Sequence, residues 1–187
     1  MEFNHVTCRG NAQQAIYLDD IDYLTFLRMF AEAVARYAWR CHAYCLMPNH
    51  FHVLLETEHD TLAQGMHLLN GRYARRFNAR HARVGHVFQG PYHAEPIQRE
   101  EHYLEACRYI ELNPVRAGLC STPGEWPWSS YRAHAGLCER PGFLSDVSAT
   151  FAPFGGYATF VAGGVNDSNL VETRLRSPSR LLRVRSI

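Results

Sequence analysis

Lysine is missing altogether: all 19 basic residues among the 187 are arginine. A GC-rich gene can empty a chain of lysine by codon usage alone. Whatever the cause, guanidinium forks suit phosphate oxygens better than point-like ammonium groups do. Also absent is any run of about 18 apolar residues, so no membrane span is expected. The opening Met1-Glu2-Phe3-Asn4-His5 lacks the charged-then-apolar layout of a secretion signal. No CxxC pair occurs among Cys8, Cys41, Cys45, Cys107, Cys120 and Cys138. A zinc ribbon is therefore not expected, whereas free thiols in a reducing cytoplasm are. Cys41 and Cys45 would share a strand face, at a spacing that fits no common zinc motif. There is no internal repeat and no low-complexity linker, and the net charge is only +1.

What is present is unevenly placed. At 47% hydrophobic, the chain can bury one good core with little left for a second. Between Gly71 and His93 lie Arg72, Arg75, Arg76, Arg80 and Arg83 with no acid. From Thr173 onward come Arg174, Arg176, Arg180, Arg183 and Arg185, again with none. Acids gather earlier, in Asp19-Asp20-Ile21-Asp22 and around Glu56 to Asp60. Two basic patches on a near-neutral chain predict a local phosphate-binding surface.

Periodicity orders the elements. His5 to Arg9 alternates as a short strand, closed by Gly10-Asn11. Asp19 or Asp20 caps a helix carrying Tyr23, Leu24, Leu27, Phe30, Ala31, Val34 and Tyr37 at helical spacing, up to about Trp39. Cys41 to Met47 and Phe51 to Glu56, joined by Pro48-Asn49, form a hairpin. Asp60 or Thr61 caps a second helix with Leu62, Met66, Leu69, Tyr73 and Phe77 on one stripe and arginines on another. Gly85 to Gln98 is an aromatic- and histidine-rich loop leading into a strand. Glu100-Glu101 opens a third helix that should end near Asn113-Pro114, because proline disfavours helix at the residue before it. The order predicts an α+β fold: a ferredoxin-like βαββαβ sandwich, with helices on one face of an antiparallel sheet and a further C-terminal helix. Residues 1–142 form the domain. Residues 143–187 form an extension ending in a solvated basic tail.

The densest chemistry lies in His50-Phe51-His52. On a strand the two histidines share one face while Phe51 points to the other, so two imidazoles can hold one divalent metal ion. Taken alone, the pair reads first as ordinary histidines on a half-buried strand; Tyr109 and Asn113, far along the chain, are what favour the metal reading. Tyr109 and Asn113, four apart, share a face of the third helix. A phenol can be a nucleophile toward a phosphodiester, and an amide oxygen can ligate a metal. Tyr73, Tyr92, Tyr103 and Tyr131 offer the same phenol by type alone.

Six colinear blocks then resemble a known family. They are His5-Val6-Thr7 with Arg9-Gly10-Asn11, the run Ala43 to His52, Tyr73-Ala74-Arg75-Arg76-Phe77-Asn78, Gly85 to Gly90, Tyr109 to Gly118, and Trp126-Pro127-Trp128-Ser129-Ser130-Tyr131. Together they look like a single-domain tyrosine transposase of the HUH (His-hydrophobic-His) nuclease superfamily, closest to the bacterial REP-associated tyrosine transposases. The resemblance implies an HUH core in which His50 and His52 bind Mg²⁺ or Mn²⁺ and Tyr109 on the added helix is catalytic. Asn113 falls where other branches place a polar third ligand. The implied activity is cleavage and rejoining of single-stranded hairpin DNA through a 5′-phosphotyrosine, by a cytoplasmic monomer or homodimer acting on palindromic repeats. Arg72, Arg75, Arg76 and Arg80 would grip the backbone, and Tyr92, Phe88 and His86 would stack on unpaired bases. His93 is a candidate for activating the phenol. Two other readings remain open at this point: a domesticated hairpin-binding regulator that does not cut, and a metal-dependent nuclease that uses water.

Overall fold

Alternation sorts the central strand into two faces: Phe51, Val53 and Leu55 join one buried cluster, and Leu54 joins a second. The computed structural model describes residues 2–58 and 61–164. Its leading elements are β1 (Glu2–Arg9), α1 (Asp20–Arg36), β2 (Arg40–Met47), β3 (His50–Thr57), α2 (Leu62–Arg80), β4 (His93–Ile97) and α3 (Glu100–Arg116). The sheet order is β2-β3-β1-β4 and every pairing is antiparallel. This is the ferredoxin-like arrangement, with the histidine strand in the interior. No helix among the described residues is long and apolar enough to cross a membrane.

One face is closed by α1 and α2. Phe26, Phe30, Met66, Leu69, Tyr73 and Phe77 pack there against Phe51 and Val53, with the Phe26 and Phe51 rings 4.8 Å apart. Asp19 starts α1 by accepting the Asp22 backbone N–H at 3.2 Å. The helix stops at Arg36, earlier than its apolar period suggests, and Trp39 leaves it to become core. Its indole donates to Thr61 Oγ1 at 3.0 Å, so the Thr61 hydroxyl serves Trp39, and makes no side-chain cap bond at the start of α2.

The other face is closed by α3 and by the chain beyond it. Cys107 and Ile110 of α3 meet Ala43, Cys45, Leu54 and Ile97. Here the structure corrects two expectations. First, α3 does not end at Pro114 but runs to Arg116. The missing proline N–H removes one bond, while Ala117 N–H on Asn113 O and Leu119 N–H on Pro114 O hold the turn beyond it. Second, Cys41 and Cys45 do not share a face. A bulge between Cys41 and Ala43 adds a residue to β2 and turns Cys41 toward α1, away from Cys45.

Residues 128–130 add to the outer edge of β2. Leu46 N–H donates to Trp128 O at 2.8 Å and Ser130 N–H to Tyr44 O at 2.9 Å. The Trp126 indole reaches Leu46 O at 3.1 Å, and Trp128 stacks on Tyr23 at 4.5 Å. Three short helices follow: α4 (Tyr131–His134), α5 (Ser148–Phe151) and α6 (Tyr157–Ala162). Beyond Gly142, Val147, Phe151, Tyr157, Phe160 and Val161 bury themselves against α3 and complete its core. The arginines from Arg174 to Arg185 lie outside the described residues, as does Asp60.

Candidate active site

The site is assembled where the sheet meets α3. His52 lies opposite Thr7 on β1 and Cys45 on β2, and His50 lies opposite Arg9 and Met47. The two imidazoles are 4.9 Å apart and nearly perpendicular. Tyr109 comes down from α3 onto this face, its ring 5.5 Å from His52 and 5.8 Å from His5. Asn113 follows one turn later and donates its amide N–H to Tyr109 O at 2.9 Å. Its carbonyl oxygen is then the atom it can offer a cation. The Arg116 guanidinium, two turns after Tyr109, sits 5.4 Å from the tyrosine ring centre.

Burial keeps the histidines neutral. It pushes His50 down to about 4, with Arg9 adding repulsion. It holds His52 well below the usual imidazole range, with His5, His50 and Arg9 adding to the effect. A neutral imidazole keeps one lone pair. On His50 the Nδ1 atom meets Asn49 Oδ1 at 2.7 Å; a carboxamide oxygen only accepts, so Nδ1 carries the proton and Nε2 keeps the pair. On His52 the Nε2 atom is buried with no hydrogen-bond partner. A buried nitrogen left without a bond is expensive. A divalent cation would answer that cost, so these residues fit one. Among the described residues, no three His, Cys, Asp or Glu side chains gather to hold a metal. The protein's remaining ligand would then be an oxygen of another kind, such as that of Asn113.

The turn that presents His50 is braced from β1. Gly10 N–H donates to Asn49 O at 2.8 Å, and a Cβ on Gly10 would sit 2.1 Å from Gln14 O. Only glycine permits that approach.

The other sequence candidates scatter. Tyr73 is buried with its hydroxyl donating to Ile16 O, and Tyr103 meets His42 Nδ1 at 3.0 Å, so neither phenol faces the histidine pair. Phe88 does not offer a stacking platform: it is core, edge-on to Phe51. His86 and Tyr92 line an open groove of about 860 Å³ between α2 and the 85–92 loop, together with Arg75, His67 and Asn78. Arg75 and Arg76 are exposed. Arg72 instead pairs with Glu32 at 2.8 Å, and Arg80 with Asp19 and Asp22 at 2.7 Å, tying α2 to α1. His93 opens β4 opposite Thr7 and is exposed.

The chain carries these features in a recognisable order, and its sequence matches the profile of IS200-like transposases over residues 4–113. The chain belongs to the IS200-like transposase family. Among solved structures, the fold is similar to that of a REP-associated tyrosine transposase bound to a REP hairpin. That likeness has a TM-score of 0.61 at 16% identity and covers 77% of this chain and 85% of that one. A putative transposase from Deinococcus radiodurans R1 is also similar, with a TM-score of 0.45 at 17% identity, over 59% of this chain and 90% of that one. No curated protein matches the chain.

Two residues of this transposase-family site escaped the sequence reading. His5 is one; its Nε2 lies 3.0 Å from His52 Nδ1. The other is Glu111, fully buried two residues after Tyr109. Its Oε1 accepts from Ser130 Oγ at 2.5 Å and Tyr157 Oη at 2.9 Å, which joins α3 to the β2 edge and to α6. Burial pushes its carboxyl up to about 7. A raised acid stabilises the fold below its unfolded pKa and loses that contribution as pH climbs from about 4.5 to about 7. Glu111→Gln should therefore be more stable than the wild type at pH 8, by about 3 kcal/mol at most, and show little gain at pH 5. Thermal unfolding at the two pH values measures this. An equal effect at both would mean that the ionised form is well accommodated.

Proposed function

We propose that this protein cleaves and rejoins single-stranded hairpin DNA, with Tyr109 as the nucleophile and a divalent cation held by His50, His52 and Asn113. The observation that carries the reading is the unpartnered Nε2 of buried His52 beside the Tyr109 ring. When bound, Mg²⁺ or Mn²⁺ would draw charge from a non-bridging oxygen of the scissile phosphate. Two imidazole nitrogens suit Mn²⁺ at least as well as Mg²⁺. Tyr109 Oη attacks phosphorus in line and loses its proton. The P–O bond to the 3′-oxygen breaks, that oxygen gains a proton, and the 5′-phosphate stays on Tyr109. Attack by a DNA 3′-hydroxyl reverses the exchange, so strands rejoin without a nucleotide cofactor. The REP hairpin named for the similar structure supports a hairpin substrate.

The strand would leave the metal site past Arg9 and Asn49 toward the groove. There Gly10 bridges to Phe88, and Gln89 N–H donates to Arg9 O at 2.9 Å. Arg75 and Arg76 would grip phosphates, and His86 and Tyr92 would meet unpaired bases. Arg72 and Arg80 would act through their ion pairs, setting the pitch of α2. The Arg75→Ala, Arg76→Ala double variant should flatten the salt dependence of hairpin binding, by roughly 0.7 in slope for each phosphate no longer neutralised. An unchanged slope would leave these arginines as a solvated helix face.

The direct test incubates single-stranded DNA carrying palindromic hairpins with the protein, with Mn²⁺ or with EDTA. Cleavage only with the cation supports the reading. Tight binding without cleavage under any condition would replace it with that of a hairpin-binding regulator.

A further inference from the structure

His5 sits on β1 opposite Leu54, and His52 sits on β3 opposite Thr7, so the two side chains are diagonal neighbours on the α3 face. Their rings stack at 5.2 Å with planes 26° apart, and His5 Nε2 lies 3.0 Å from His52 Nδ1. Both residues are buried. One proton lies between these two nitrogens, and its location decides what the far side of His52 can do. If His5 donates, His52 is protonated at Nε2, where no acceptor is present. A buried N–H would be stranded and no lone pair would face the site. If His52 donates from Nδ1, then Nε2 carries a lone pair directed away from His5.

We propose that His5 is the positioning residue of the metal site: by accepting from His52 Nδ1–H it fixes the tautomer that presents His52 Nε2 as a ligand. Metal-binding imidazoles commonly have the second nitrogen fixed in this way, usually by a carboxylate or a carbonyl. Here a histidine takes that place, as Asn49 does for His50. The proposal rests on the reading of His50 and His52 as metal ligands. Its own content is the proton on Nδ1 and the dependence of affinity on His5.

Two measurements test it. Long-range ¹H–¹⁵N spectra of the metal-free protein read the His52 tautomer directly; protonation at Nδ1 is expected, and protonation at Nε2 would overturn the assignment. Calorimetric titration with Mn²⁺ then compares the wild type with His5→Phe, which keeps a ring in place but accepts nothing, and His5→Gln, which returns an accepting oxygen. His5→Phe should bind Mn²⁺ about 10- to 100-fold more weakly, and His5→Gln should recover most of that affinity. Unfolding temperatures of both variants report whether the fold is kept. Equal Mn²⁺ affinity in His5→Phe would overturn the positioning role alone. Equal weakening in both variants would make His5 itself a ligand and overturn it as well. A wild type that binds no Mn²⁺ would overturn the metal reading and this proposal with it.

Discussion

Tyr109→Phe should abolish strand cleavage, by at least about a thousandfold, while hairpin binding stays within a factor of a few. The substitution removes one oxygen and keeps the ring that packs edge-on against both His5 and His52. The buried Tyr73 and the Tyr103 hydroxyl are held by bonds elsewhere, so neither faces the histidine pair. A gel assay on single-stranded hairpin DNA, run beside a binding titration, separates the outcomes. Cleavage retained by the phenylalanine variant would point to water as the nucleophile.

Removing either histidine should cost on the order of a hundredfold or more in cleavage, the range for losing a group that stabilises developing charge. His50→Ala is the cleaner of the two, since His50 is only half-buried, whereas His52→Ala also strands His5. The histidines also set a pH dependence. Burial holds His50 to about 4 and His52 well below its usual range, so their lone pairs survive into acid. Mn²⁺ affinity should therefore change little between pH 7.5 and about 5.5, where an unshifted imidazole near 6.5 would already be losing its metal to protons. Full activity in EDTA, or in either alanine variant, would remove the two-histidine site.

Much of this was legible in the sequence because local signals agreed. The Pro48-Asn49 turn and the alternation around Phe51 fixed both the hairpin and the face on which His50 and His52 lie. The Asp19 cap and the apolar stripes of α1 and α2 placed the first helical layer. What stayed hidden depends on contacts between distant segments. His5 could be assigned to a strand face, but its partnership with His52 is set by the β1–β3 register. Arg72 and Arg80 looked like free cations on a helix stripe; only the docking of α2 on α1 brings Glu32, Asp19 and Asp22 to them. Pro114 read as a stop, and the turn after it is held by bonds that the proline rule does not count. Beyond Gly142 the apolar residues come in short helices, with no long period to betray that they close the α3 core.

The central claim is a covalent one, and the adduct tests it most directly. The wild-type protein, Mn²⁺ and a hairpin strand lacking a rejoining partner should yield a denaturant-resistant protein–DNA species. Nuclease and protease digestion followed by mass spectrometry should place a 5′-phosphorylated nucleotide on the peptide containing Tyr109. Cleavage without any adduct, or an adduct on Tyr92 or Tyr103, would contradict the account.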